Sequence, residues 1–208
     1  MARVPKNSPL YQLRGRVGDW IIYERNGKVY MRAAPQPKKN HKSTAQQDLH
    51  QKSFQAIHTL AKSVKRSIID RVWATLPMTG GMTPYSLFVK SNWTAFGHTD
   101  QIQFPELMEI SRGNLLPAVG FSVKKDGDQI TFRWDASKTG WLAMADNRLN
   151  LVRLTDRLNL EYIAVEARRG DGEASVIIQD QTEMIEGFVF WSSFDETAFS
   201  PSMHWKCE

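Results

Sequence analysis

The feature that most restricts the fold of this chain is a change in the spacing of its apolar residues. From residue 54 to residue 72 they recur every three or four positions, which is the spacing of one face of an α-helix. Thr44, followed by Gln47, forms a capping-box pattern that favours a helix start, and Pro77 favours its end. We therefore predict one amphipathic helix over about 44–73. Its apolar positions are Leu49, Phe54, Ile57, Ala61, Val64, Ile68 and Val72.

A second helix is predicted to begin at Thr83-Pro84. Thr83 is a favourable N-cap residue, and proline suits the first helical position. Gly97 is placed to end this helix. Because only a short loop joins the two helices, we expect them to pack antiparallel as a helical hairpin.

From about residue 106 the apolar spacing changes to two, which is typical of β-strands. In the segment 128–135, Ile130, Phe132 and Trp134 alternate with polar residues. The sequence predicts strands near 107–111, 119–125, 128–135, 141–145, 148–155, 160–168, 174–179, 186–193 and 202–206. Seven or more short strands over about 100 residues indicate an antiparallel β-sandwich of the immunoglobulin or fibronectin type.

The N-terminal segment has a different character. Two β-rich runs flank Asn26-Gly27, a strong signal for a β-hairpin. Residues 33–43 follow as a strap rich in proline and lysine, and residues 1–14 are expected to be flexible or extended. A lone two-stranded hairpin is marginal in water, so we expect this arm to need contacts with other elements or molecules.

The predicted fold class is therefore α+β: a basic N-terminal arm with a β-hairpin, a helical hairpin, and an antiparallel immunoglobulin- or fibronectin-like β-sandwich. The corresponding domain boundaries are 1–43, 44–105 and 106–208.

Charge is distributed unevenly along the chain. The net formal charge is +5, but residues 1–71 carry +11 and the remainder carries −6. A basic front half suits an anionic partner such as nucleic acid, or the acidic half of a second copy of the chain.

Signatures of catalysis and of metal binding are missing from the sequence. The five histidines do not have metal-ligand spacing, and there is neither a G-x-S-x-G elbow nor a Walker motif. The single cysteine, Cys207, excludes an internal disulfide framework. No apolar run reaches 18 residues, and the N-terminus lacks the apolar segment of a secretion signal. We expect a cytoplasmic, non-enzymatic protein without a cofactor, a metal, a small-molecule substrate or a membrane partner.

Several segments resemble a family of proteins of unknown function found in Bacteroidota, about 200 residues long. The segments are "GRVGDWIIYERNGKVYMRAAP", "STAQQDLHQKSF", "MTPYSLFVKSNWTAF", "ISRGNL", "ITFRWD", "EARRGDGEASV" and "FVFWSSFDETAFSPS". They occur in the same order over nearly the whole chain. The resemblance implies a helical N-terminal half and an immunoglobulin-like C-terminal half, and it implies no catalytic residues.

These patterns leave three functions open. The leading hypothesis is a structural or assembly protein that forms homo-oligomers, or joins other assembly subunits, through its N-terminal arm, as in a phage or prophage virion. The alternatives are a nucleic-acid-binding module that uses the basic half, and an adhesin whose sandwich binds carbohydrate or protein. The candidate interface residues are Arg14, Arg16, Trp20, Tyr23, Tyr30, Arg32, Lys38, Lys39 and Lys42.

Overall fold

The structure is a computed structural model that describes residues 2–36, 43–77, 81–155, 158–178 and 185–207. Its contacts divide the chain into two compact units, Met1–Ser43 and Thr44–Glu208. The fold class is α+β, with helices and antiparallel sheets in separate parts of the chain. Within the described residues, no helix has both the length and the apolar content that crossing a membrane requires.

The N-terminal unit is a four-stranded antiparallel sheet with the strand order β1-β4-β3-β2. The predicted hairpin is confirmed: β3 and β4 pair across Asn26 and Gly27, both in the left-handed conformation. Two further strands were not predicted. The run that begins at Gly15 reverses direction at Gly18 and so forms β2 and β3, and residues 2–3 form β1 by pairing with β4. The elements are β1 (Ala2–Arg3), a 3-10 helix (Pro9–Gln12), β2 (Gly15–Val17), β3 (Trp20–Arg25) and β4 (Lys28–Ala33).

In the part of the second unit that the structure describes, three α-helices come first: α1 (Ala45–Ser63), α2 (Ile68–Thr75) and α3 (Pro84–Asn92). The capping box at Thr44 and the N-cap at Thr83 form as predicted. The prediction of one helix to residue 73 is wrong. Arg66 adopts a left-handed conformation, and the Ser67 hydroxyl then accepts a hydrogen bond from the first turn of α2. The final turn after α3 is a 3-10 helix (Trp93–Phe96).

Among the described residues that follow there are seven strands, in two antiparallel sheets with the orders β11-β10-β7-β8 and β5-β6-β9. The predicted strands at 107–111 and 141–145 do not form. The first region holds a 3-10 helix (Pro105–Leu107) and irregular chain, and the second is a turn closed by Gly140 and Ala143. A fourth 3-10 helix spans Arg169–Asp171. The strands are β5 (Ser122–Asp126), β6 (Gln129–Arg133), β7 (Arg148–Thr155), β8 (Asn159–Ile163), β9 (Glu173–Ile177), β10 (Ile185–Ser192) and β11 (Met203–Cys207).

The central strand β10 contributes side chains to both hydrophobic cores of the second unit. It is apolar on both faces, as expected for a strand that is covered on each side. Phe188 and Phe190 pack in one core with the helices, whereas Val189 and Trp191 pack in a second core with residues of β6 and β9. The helical segment 44–105 therefore shares a core with the strands that follow it.

A candidate basic interface on the N-terminal sheet

One face of the N-terminal sheet collects basic and aromatic side chains. In antiparallel strands, directly opposed residues point to the same side, and successive residues alternate between sides. The cross-strand register therefore places one set of side chains together, which we call the basic face. Its members are Arg3, Arg16, Ile21, Tyr23, Arg25, Lys28, Tyr30 and Arg32.

Tyr23 and Tyr30 form the centre of the basic face. They are directly opposed on β3 and β4, and their rings stack with centroids 5.9 Å apart and planes inclined by 26°. Arg3 continues this row on β1. Both tyrosines are half-buried, so part of each ring remains accessible.

Cationic rows lie on either side of the tyrosine pair. Arg16 and Arg32 are both aligned with Ile21 on one side, while Arg25 opposes Lys28 on the other. Neighbouring rows are two residues apart along the strands, which is a separation of about 6.8 Å. All five basic side chains of this face are exposed. The Arg16 side chain is oriented by a hydrogen bond from its Nε to the Gly18 carbonyl, 3.0 Å away.

Among the described residues of this unit, no carboxylate lies on the basic face. The sequence places only two acidic residues in 1–43, Asp19 and Glu24. Asp19 lies in the turn between β2 and β3, while Glu24 opposes the buried Val29 and so points to the other side of the sheet. There Glu24 accepts a hydrogen bond from Arg14, at 2.7 Å between Nη2 and Oε2.

The opposite face of the sheet holds the small core of the unit. Val4, Ile22 and Val29 are buried there, and Leu10 and Tyr11 of the 3-10 helix pack against them. The two faces therefore have different roles: one carries the core, which the chain of the unit itself covers in part, and the other presents charge.

The nine residues predicted from the sequence fall into four groups. Arg16, Tyr23, Tyr30 and Arg32 lie together on the basic face. Arg14 is bound to Glu24 and to the Tyr11 carbonyl. Trp20 opposes Val17 and Ala33, with the side chain on the opposite face from the basic residues and 49% exposed. The strap lysines, Lys38, Lys39 and Lys42, lie outside the described residues.

Three basic members of the face were not among the nine candidate interface residues: Arg3, Arg25 and Lys28. For Arg25 and Lys28 a usable signal existed, because the alternation on either side of Asn26-Gly27 already places them with Tyr23 and Tyr30. Arg3 had no such signal, since its position follows from pairing with β4.

Other reactive groups do not form a comparable site. Among the residues that the structure describes, no group of three or more His, Cys, Asp or Glu side chains is placed to hold a metal ion. Cys207 is buried in β11, and burial raises the pKa of its thiol, which lowers its reactivity.

Comparison of the chain with protein-family models, with curated proteins and with solved structures finds no match. The resemblance to the Bacteroidota family therefore stays a prediction.

Proposed function

We propose that the protein binds single-stranded nucleic acid through the basic face of its N-terminal sheet. The observation that carries this proposal is the grouping of five exposed cations around a stacked tyrosine pair, with no described carboxylate on the same face. Cations supply the sequence-independent attraction to phosphates, and arginine also binds them through paired N–H donors.

The arrangement is costly for the isolated sheet. Like charges that are directly opposed across antiparallel strands destabilise the pair, and Arg25 opposes Lys28. A polyanion removes this repulsion when it binds. A local feature that opposes folding is most readily explained by function.

The tyrosine pair favours single strands over duplexes. The accessible parts of Tyr23 and Tyr30 can stack with unstacked bases, whereas the bases of a duplex are already stacked on each other. The rows of cations beside Tyr23 and Tyr30 would contact the backbone of a strand whose bases lie on the rings. Cations alone would bind duplex and single strand by charge, so the preference depends on the tyrosines.

The test is fluorescence anisotropy with a labelled oligothymidine at low salt. The variant Arg16→Glu/Arg32→Glu reverses the row beside the tyrosines and is expected to abolish binding. Lys6→Glu/Lys90→Glu changes the same amount of charge outside the basic face and should preserve binding. Circular dichroism of each variant shows whether it is folded.

Two competitors separate the possible anionic partners. Unlabelled oligothymidine should displace the probe at lower concentration than duplex DNA or polyglutamate of equal charge. Equal competition by polyglutamate would overturn the nucleic-acid assignment in favour of an acidic protein surface. Retention of full affinity by Arg16→Glu/Arg32→Glu would show that the basic face is not the binding site.

Assembly remains a second proposal because of an apolar strip in the same unit. Val17 and Trp20 oppose each other where β2 ends and β3 begins, and both are nearly half exposed. Such a group of apolar side chains suits a contact with a second copy of the chain, as in a virion component. Light scattering should then give a multimer that Trp20→Ser dissociates; a monomer at high concentration would exclude this proposal.

For the second unit we propose a fold only. Its two antiparallel sheets share a core, which supports the proposed immunoglobulin- or fibronectin-like sandwich.

A further inference from the structure

An apolar cavity of about 330 Å³ opens among the three helices of the second unit. Trp73 and Phe88 form part of its wall, with their rings in an edge-to-face contact at 5.4 Å between centroids. Ala61 and Val64 contribute aliphatic surface. The Trp73 indole N–H is already bound to the Ile110 carbonyl, at 3.0 Å, so this wall presents carbon surface to a ligand.

The chain geometry accounts for the open space. The helix breaks after residue 63, and Arg66 takes a left-handed conformation before α2 begins. The small side chain of Ala61 lies where a larger residue would occupy the cavity. The volume falls within the range of about 300–1,000 Å³ that small-molecule sites occupy.

Charged and polar groups stand around this apolar surface. Lys62 and Lys65 both line the cavity, and neither forms an ion pair with a carboxylate in the described part of the chain. Asp70 also lines it, but its Oδ2 accepts a hydrogen bond from the Arg66 backbone N–H at 3.2 Å. Two cations and one engaged carboxylate leave a net positive lining.

His58 and Tyr85 complete the lining through a hydrogen bond between the His58 Nδ1 and the Tyr85 hydroxyl. Their rings meet nearly at right angles, at 5.5 Å between centroids. This contact joins α1 to α3 beside the cavity and orients the two rings.

We propose that this cavity binds a small amphipathic carboxylate, such as a medium-chain fatty acid or an aryl carboxylate. The hydrocarbon part lies against Trp73 and Phe88, and the carboxylate pairs with Lys62 and Lys65. An uncharged ligand of the same shape lacks the second interaction, and a cationic one is repelled by the lysines. This site shares no residue with the basic face, so each proposal can be tested without the other.

The test uses isothermal titration calorimetry with octanoate, octanol and octylamine. Octanoate should bind most tightly, octanol more weakly and octylamine least. In the variant Lys62→Gln/Lys65→Gln, octanoate affinity should fall about fivefold, which corresponds to about 1 kcal/mol shared by the two exposed ion pairs. Octanol affinity should not change. The matched control Lys52→Gln/Lys90→Gln removes two exposed lysines of α1 and α3 outside the cavity and should leave octanoate binding intact.

A second variant tests the apolar part. Ala61→Leu fills the cavity and should remove binding of both octanoate and octanol. If this variant does not fold, the lysine variant still decides the proposal. Absence of octanoate binding to the unmodified chain overturns the site. Equal affinities for octanoate and octanol, or unchanged octanoate affinity in Lys62→Gln/Lys65→Gln, overturn the carboxylate assignment and favour an uncharged apolar occupant, such as a side chain of a partner protein.

Discussion

If the basic face binds a single strand, its affinity must depend on salt in a way that the structure quantifies. The face carries five cations, and each phosphate that they neutralise contributes about −0.7 to the slope of log K against log salt. Five contacts give a slope of about −3.5. Raising the salt from about 50 to about 200 mM should therefore weaken binding about a hundredfold.

The perturbation is Arg16→Gln/Arg32→Gln, which removes the two cations aligned with Ile21 and adds no repulsion. Three contacts remain, so the slope should fall to about −2.1 and the same change of salt should cost about twentyfold in affinity. Both side chains are exposed, and we expect the free energy of unfolding to change by no more than about 0.5 kcal/mol.

The assay is anisotropy of a labelled oligothymidine over a series of salt concentrations. Lys6→Gln, in the turn after β1, removes one cation outside the basic face; it serves as a control within the same unit and should leave the slope unchanged. The triple variant Lys38→Gln/Lys39→Gln/Lys42→Gln measures the contribution of the strap. A slope near zero for the unmodified chain, or one that Arg16→Gln/Arg32→Gln does not alter, would refute the assignment of these arginines as phosphate contacts.

Three further predictions concern the second unit. Gly187→Ala should destabilise the fold by about 1–3 kcal/mol or more in urea denaturation, since its Cβ would lie 2.1 Å from the Val152 carbonyl oxygen. Gly140→Ala meets no atom within 4 Å and should stay within about 0.5 kcal/mol; equal effects would contradict the packing of β10 on β7. Thr44→Ala should cost about 1 kcal/mol by removing the cap of α1, and a loss below about 0.3 kcal/mol would argue against the capping box. Burial raises the pKa of the Cys207 thiol, so it should react with a disulfide reagent far more slowly in the folded chain than in urea. The unfolded thiol ionises first, so this group lowers stability as the pH rises above about 8.5; rapid labelling of the native protein would contradict its burial.

Elements with strong local signals could be predicted from the sequence. The turn at Asn26-Gly27 requires two left-handed residues, and both positions adopt them. The helix starts at Thr44 and Thr83 depend on side chains that bind the first turn of their own helix. Strand β6 shows its alternation because one of its faces is buried and the other is exposed.

The predictions of secondary structure were wrong where tertiary contacts, and not local sequence, determine the backbone. Val64 and Ile68 continue the apolar stripe and are buried, yet the backbone between them leaves the α-helix at Arg66. Segment 141–145 is a short apolar run, but Trp141 is 87% exposed and the backbone forms a turn. The apolar pattern predicted the burial of Val64 and Ile68 and failed to predict the exposure of Trp141.

The candidate site was predicted in part, since residue type was visible and pairing was not. Arg16 and Arg32 are 16 positions apart, and they share a row because each pairs beside Ile21. Trp20 was assigned to the same interface on its residue type, but its place in the alternation puts it on the other face. A side chain's face depends on register, and register for short strands is set by turns and pairing partners.

The small core of the N-terminal unit links its stability to its proposed function. Its core cluster contains three buried side chains, and compact units of about 40 residues rarely fold on so little apolar surface without other support. Five neighbouring cations on the other face add repulsion that further lowers stability. If the basic face binds a polyanion as proposed, the bound charge neutralises cations that the register of the four strands brings together. Binding would then favour the folded sheet, so the same cations that weaken the free sheet would allow a polyanion to stabilise it.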